Sequence, residues 1–116
     1  MPQALSPCPD LKIILCTCPD SAIAEKIANA LVHDRIAACV TQLPGAISTY
    51  FWEGHVETSN EVQLLIKTYT THLNAATACI QHIHPHSVPE ILVFSAQSGI
   101  SSYVSWVYTT LHAHLQ

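Results

Sequence analysis

The 116-residue chain has few charged residues, few glycines and no long apolar run. Charged residues make up 10% of it, against about 25% in typical soluble domains. Because 49% of the chain is apolar, its composition excludes a disordered or tail-like protein. Three glycines are too few for a glycine-rich phosphate-binding loop. Since the cores of subunit interfaces are depleted in charge, the shortage of charge is a first indication of a homo-oligomer.

The basic side chains are also scarce and scattered singly. Four of them stand against eight acidic ones, so the net charge is −4 with histidine counted as neutral. A nucleic-acid-binding protein needs a basic stripe, and we therefore predict no nucleic-acid partner. The longest apolar runs, such as residues 36–40, are far shorter than the ~20 residues of a membrane-spanning helix, so we predict no membrane segment. The chain also has no GxSxG or HExxH motif, and we predict that it is not an enzyme.

The five cysteines form an odd set without the regular spacing of a disulfide framework. Residues 1–10 have neither the basic start nor the apolar centre of a secretory signal. A chain of this length buries enough surface to fold without disulfides. We therefore predict reduced thiols and a cytoplasmic location.

Hydrophobic patterning predicts a single α+β domain over residues 11–116, preceded by a flexible N-terminal arm at residues 1–10. The apolar run 12–17 predicts a buried central strand, and residues 21–33 predict an amphipathic helix. Further strands are predicted at 36–43, continuing to 52 past Pro44 and Gly45, at 56–69 and at 91–96, and further helices from Thr70 or Thr71 and from Ser101 or Ser102. The order β-α-β-β-α-β with an extra C-terminal helix is the ferredoxin-like arrangement.

The second and third predicted strands form an unusually long hairpin. Pro44 and Gly45 interrupt its first strand, which predicts a bend or a bulge. Its outer half, residues 50–60, is too long to cover a core of this size. We therefore expect the hairpin to reach a neighbouring subunit.

Thiol and imidazole side chains offer the first candidate site. Cys16 and Cys18 end the first strand two residues apart, so both point to one side if the strand persists. His82, His84 and His86 bracket the end of the second helix. Thiolate and imidazole ligands suit copper or zinc rather than calcium or magnesium. The alternatives are a buried structural cysteine and surface histidines favoured by the helix dipole.

A second candidate site consists of polar and aromatic side chains in apolar surroundings. Its members are Trp52, Lys67, Glu90 and Tyr103. Lys67 lies near the end of the hairpin's return strand, and Glu90 directly precedes the last strand. The group predicts either a structural ion pair or a pocket for a small anionic ligand.

Several short segments resemble the CutA divalent-cation tolerance family in order and spacing. They are LCTCPD at 15–20, IAACV at 36–40, LPG at 43–45, YFWEG at 50–54, EVQLLIKT at 61–68, HP at 84–85, VPEI at 88–91 and YVSW at 103–106. The resemblance spans about residues 12–111. It implies a homotrimer of ferredoxin-like protomers, in which the long hairpins pair between subunits.

The resemblance also implies a link to tolerance of divalent metals, with copper bound by Cys16 and His84. Some family members have a second histidine directly before the His-Pro pair, where this chain has Ile83. Many have a tyrosine where this chain has His86. The candidate further ligands are therefore His82 and His86. Copper is the expected metal, and zinc is the second choice.

The architecture further resembles the trimeric PII signalling proteins, whose ligands bind in clefts between subunits. Such a likeness is one of fold alone. It implies an alternative function, that of a non-catalytic small-ligand sensor or scaffold. The intersubunit pocket of such a protein is expected near Cys39, Trp52, Lys67, Glu90 and Tyr103.

Overall fold

A computed structural model describes residues 4–112 of the chain. Within these residues, two antiparallel sheets and three α-helices form an α+β fold. The strands are β1 (Leu5–Pro7), β2 (Leu11–Cys18), β3 (Cys39–Trp52), β4 (His55–Tyr69), β5 (Ile91–Ser95) and β6 (Ser98–Ile100). The helices are α1 (Ser21–His33), α2 (Leu73–Ile83) and α3 (Ser101–His112). None of the helices in this range has the length and apolar character needed to cross a membrane.

The larger sheet has the strand order β3-β4-β2-β5, and each neighbouring pair is antiparallel. β2 is therefore a central strand, as its apolar sequence predicts. Alternate side chains of β2, those of Ile14, Cys16 and Cys18, are fully buried in a core shared with α1 and α2. The period of two in a strand is what places both cysteines on the face that the helices cover.

The first helix has the bounds that its pattern predicts, residues 21–33. It begins where the side chain of Asp20 accepts a hydrogen bond of 2.9 Å from the backbone N–H of Ile23. The second helix differs at its start, because residues 70–72 form a 3₁₀ turn and α2 begins at Leu73 without a side-chain cap. Neither threonine predicted to start this helix caps it, because the hydroxyl of Thr70 donates to Asp10 and that of Thr71 contacts the ring of His72.

The hairpin of β3 and β4 is as long as the sequence predicts. Its pairing runs from Cys39 opposite Lys67 to Trp52 opposite His55. The register shifts between Leu43 and Ala46, which confirms the irregularity predicted at the intervening Pro-Gly pair. β2 pairs with β4 only as far as Val62. The outer half of the hairpin therefore extends past the end of β2.

The N-terminal residues include a strand rather than a loose arm. β1 pairs antiparallel with β6, and the following Cys8 is only 5% exposed in a second small core with Val107 and Leu111 of α3. The flexible arm predicted for residues 1–10 is corrected for residues 5–8. The prolines that suggested a loose arm are compatible with a strand of a two-stranded sheet, where a missing N–H is tolerated. Residues 1–3, and residues 113–116 at the predicted end of the domain, lie outside the described residues.

Candidate metal centre

Two buried cysteines and one buried histidine meet at the end of β2. Ligand atoms of Cys16, Cys18 and His84, one from each residue, all lie within 4.8 Å of one another. The strand supplies both thiols on its helix-covered face, and His84 is the C-cap residue that ends α2. The end of a central strand and the end of a helix thus bring together two thiol sulfurs and one imidazole.

Both ring nitrogens of His84 have hydrogen-bond partners. Its Nε2 lies 2.8 Å from the backbone oxygen of Thr17, which can only accept, so Nε2 carries the proton and donates it. Its Nδ1 accepts the backbone N–H of His86 at 3.1 Å. This network assigns the neutral tautomer protonated at Nε2, and it fixes the ring beside the two thiols.

The two thiols differ in acidity because they interact with each other. A hydrogen bond with Cys18 is the main cause that raises the pKa of Cys16 above its ordinary value of 9.0, and burial and the charge of Glu90 raise it further. The same hydrogen bond lowers the pKa of Cys18, against the opposing effect of burial. Their interaction therefore favours the neutral thiol at Cys16 and the thiolate at Cys18. A thiolate is the form of cysteine that binds metals.

The two other histidines that the sequence suggests as ligands lie outside this group. His82 is exposed in the last turn of α2. His86 is also exposed, and its ring centroid lies 5.0 Å from that of His84, so its backbone rather than its ring supports the group. Cys18 belongs to the candidate group of the sequence but is absent from the ligand set that the family resemblance implies. Its spacing of two from Cys16 in a strand is the signal that places it beside Cys16.

A groove of about 710 Å³ borders the group between the hairpin and the loop that follows α2. Its walls combine imidazole, carboxylate and aromatic side chains, among them Trp52, Glu61, His84, His86 and Glu90. Two residues of the predicted ligand pocket, Trp52 and Glu90, therefore lie on the same groove as the predicted metal ligands. An ion or a small ligand has a path from solvent to His84 along this groove.

The three remaining residues of the predicted pocket do not line this groove: Cys39 and Lys67 lie on the paired strands β3 and β4, and Tyr103 lies on α3. The ammonium group of Lys67 donates to the hydroxyl of Thr41 and lies 3.8 Å from the sulfur of Cys39. Burial, and then the charge of Cys39, raise the pKa of Tyr103 above its ordinary value. Within one protomer the structure thus divides the predicted pocket into Trp52 and Glu90 on the groove and the other three residues elsewhere.

Comparisons with known proteins match almost the whole chain to proteins of one description. A family model described as CutA1 divalent ion tolerance protein matches residues 12–110. The divalent-cation tolerance protein CutA of Pectobacterium atrosepticum is 47% identical over 102 residues, 88% of this chain and 93% of that protein. The crystal structure of CutA from Xylella fastidiosa is 47% identical, with a TM-score of 0.86 over 88% of this chain and 98% of that one. A structure of CutA from Synechococcus elongatus complexed with a Bis-Tris molecule is 30% identical, with a TM-score of 0.85 over 92% of this chain and 99% of that one.

Proposed function

The chain belongs to the CutA1 divalent ion tolerance protein family, and we propose that it serves this tolerance by binding copper at Cys16, Cys18 and His84. The observation that carries the proposal is the meeting of three buried ligand atoms within 4.8 Å of one another. Sulfur and imidazole ligands favour copper, with zinc as the second choice. The proposal needs no catalytic step.

Two exposed histidines extend the proposed site. His86 is the better placed of them, because it lines the groove beside His84 and can deliver an ion to the buried group. His82 stays a candidate for a weaker contact at the end of α2. The free state of all five cysteines, each of them among the described residues, supports a reducing, cytoplasmic location. Fractionation that found the protein in the periplasm would contradict that part of the proposal.

Copper content and binding stoichiometry of the reduced protein, purified without a histidine tag, test the function. We expect one copper ion per chain, and Cys16→Ala should weaken its binding at least about tenfold, a loss of about 1.4 kcal/mol. His33→Ala is the matched control, because His33 is exposed in the last turn of α1, away from the group. Equal effects of the two variants would show nonspecific binding and contradict the proposal.

We further infer that ferredoxin-like protomers assemble into a homotrimer. The strand order β3-β4-β2-β5, with α1 and α2 packed on the same core, supports the ferredoxin-like arrangement. The outer half of the hairpin supports the assembly, since Phe51 is 76% exposed and Trp52 56% exposed. Apolar side chains at such exposure favour a protein partner. Hairpins that pair between subunits would cover them.

A second candidate function is a PII-like small-ligand sensor or scaffold. The groove beside Trp52 and Glu90 favours it, and the relative from Synechococcus elongatus is described as complexed with a Bis-Tris molecule. In a trimer, the group of Cys39, Lys67 and Tyr103 from a neighbouring protomer could complete the pocket. Trp52→Ala separates the two functions. It should weaken the binding of a small ligand in the groove and leave the affinity for copper unchanged.

A further inference from the structure

We propose that His72 and His112 form a second, separate metal site, in which the Nε2 atoms of both rings bind one divalent transition-metal ion. The site goes beyond the proposed function, since it uses no thiol and lies at the other end of α2. His72 directly precedes this helix, and His84 directly follows it. A helix of 11 residues spans about 16 Å, so one ion cannot contact both histidines.

Two elements bring the imidazole rings of the pair together. His72 ends the 3₁₀ turn that follows β4, and His112 is the last residue of α3. Their ring centroids lie 5.5 Å apart, with an angle of 84° between the ring planes. Both side chains are half-buried, so an ion from solvent can reach the rings.

The spacing of the rings fits a single shared ion. A metal–nitrogen bond is about 2.0–2.1 Å long and the ring centroid lies about 1.1 Å further on, so each centroid is about 3.2 Å from the ion. Two such rings at a tetrahedral angle place their centroids about 5.2 Å apart. The observed separation of 5.5 Å is close to this value. Rotation of the side chains, without movement of the backbone, is therefore enough to direct both Nε2 atoms at one ion.

The hydrogen bonds at Nδ1 favour ligation through Nε2. Nδ1 of His112 lies 2.7 Å from the backbone oxygen of Tyr108, which can only accept, so Nδ1 carries the proton and the neutral ring has its lone pair on Nε2. Nδ1 of His72 lies 2.8 Å from the hydroxyl of Thr71, which can accept a hydrogen bond in the same way. Metal-bound histidines commonly donate a hydrogen bond from the ring nitrogen that does not bind the ion.

Neighbouring aromatic rings hold His112 in place. The ring of Tyr108 stacks on it with a centroid distance of 4.1 Å, and Tyr69 meets it edge-on at 5.9 Å. The two tyrosine rings also contact each other. Because these contacts restrict the ring before an ion arrives, binding costs less conformational entropy than it would at a freely rotating surface histidine.

The donor set determines which ions the pair selects. Imidazole suits zinc, copper(II) and nickel, whereas calcium and magnesium prefer oxygen ligands. Water molecules complete the shell, as they do at open zinc sites. In the binding step each neutral imidazole donates its lone pair and displaces a water molecule from the ion. No electron is transferred and no proton is released.

A Zn²⁺ titration of the full-length reduced protein, followed by long-range ¹H–¹⁵N NMR of the histidine side chains, tests the proposal. We expect the Nε2 signals of His72 and His112 to shift together and to saturate at the same Zn²⁺ concentration. His72→Gln should weaken Zn²⁺ binding at His112 at least about tenfold, and His112→Gln should do the same at His72. His33→Gln is the matched control, because His33 is exposed in the last turn of α1, and it should leave both signals unchanged.

Other outcomes overturn the inference and separate it from the proposed function. If His112 binds Zn²⁺ equally well in His72→Gln, the two rings do not share an ion. A shift of the His84 signal without shifts of His72 and His112 contradicts the second site and leaves the candidate metal centre intact. The reverse result supports the pair and counts against the candidate metal centre. The wild-type spectrum decides between these last two results without any substitution.

Discussion

His84 shows how one side chain at the candidate site also supports the fold. Its ring joins the end of β2 to the loop after α2 through Thr17 and His86. Removing it leaves a backbone oxygen without its donor, and an unsatisfied buried polar group costs about 1–3 kcal/mol. We therefore predict that His84→Ala lowers the free energy of unfolding of the metal-free protein by about this amount.

Urea denaturation of the metal-free protein measures the effect of His84. The control is His82→Ala, because His82 is exposed in the last turn of α2, and we expect a change within about 0.5 kcal/mol. If the two variants were equally stable, the hydrogen bonds of His84 would contribute nothing measurable to the fold.

Cys79 provides a pH dependence outside the candidate site. Burial raises the pKa of its thiol above the ordinary 9.0, and the charge of Asp34 adds to the shift. The folded state therefore favours the neutral thiol, so its contribution to stability is present below pH 9.0 and is lost as the pH rises through the raised value. We predict that the stability difference between the wild type and Cys79→Ala shrinks from pH 8 to pH 10.5. Chemical denaturation at each pH measures it, and a constant difference would contradict the prediction.

The candidate site was predictable from the sequence only in part, because sequence spacing describes neighbours along one element. The period of two placed Cys16 and Cys18 together, and the resemblance selected His84 from the three histidines at the end of the second helix. The direction of the His84 ring depends on the peptide groups of Thr17 and His86, which belong to different segments. Such a tertiary network has no local sequence signal.

At the scale of elements, the tip of the hairpin is a two-residue turn whose backbone conformation favours particular residue types. Trp52 pairs with His55, and the intervening Glu53 and Gly54 have φ angles of +50° and +81°. Two positive φ angles define a type I′ turn, for which Asn-Gly is the preferred pair. We predict that Glu53→Asn stabilises the protein and that Gly54→Ala destabilises it by about 1–2 kcal/mol.

Thermal unfolding of the turn variants checks both signs. The matched control is Glu53→Gln, which removes the same charge but lacks the tolerance of asparagine for positive φ, and it should leave stability almost unchanged. Equal stabilisation by glutamine and asparagine would show that charge, rather than backbone conformation, determines the effect at this position.

The elements with a strong local period were predictable, and those that depend on distant partners were not. The first helix, residues 21–33, has a cap and a continuous apolar face, so its pattern alone was sufficient. β1 has three residues, and its pairing partner lies more than 90 residues further along the chain. The start of α2 was displaced for a similar reason, because Thr70 contacts Asp10 instead of capping the helix.

At the scale of the whole molecule, the apolar surface at the edges of the large sheet is its most informative feature. β3 and β5 are the two edge strands, and Leu92, Val93 and Phe94 of β5 are all exposed. Unpaired edges with apolar side chains promote association, and natural proteins cover them or close them into assemblies. The low share of charged residues in the sequence is therefore reflected in the exposed apolar side chains of the edge strand β5.

The homotrimer that we propose gives the last prediction. Light scattering of the reduced protein at micromolar concentration should give about three times the chain mass of 12.7 kDa. A charge at the outer end of the hairpin should weaken the assembly, since Trp52→Asp places a carboxylate where neighbouring subunits are expected to pack. Val32→Asp introduces the same charge at an exposed apolar position of α1, away from the hairpin, and it should remain trimeric.

A monomeric wild type would exclude the trimer, and equal dissociation of both variants would show that net charge rather than hairpin packing controls it. Only dissociation confined to Trp52→Asp assigns the interface to the outer hairpin.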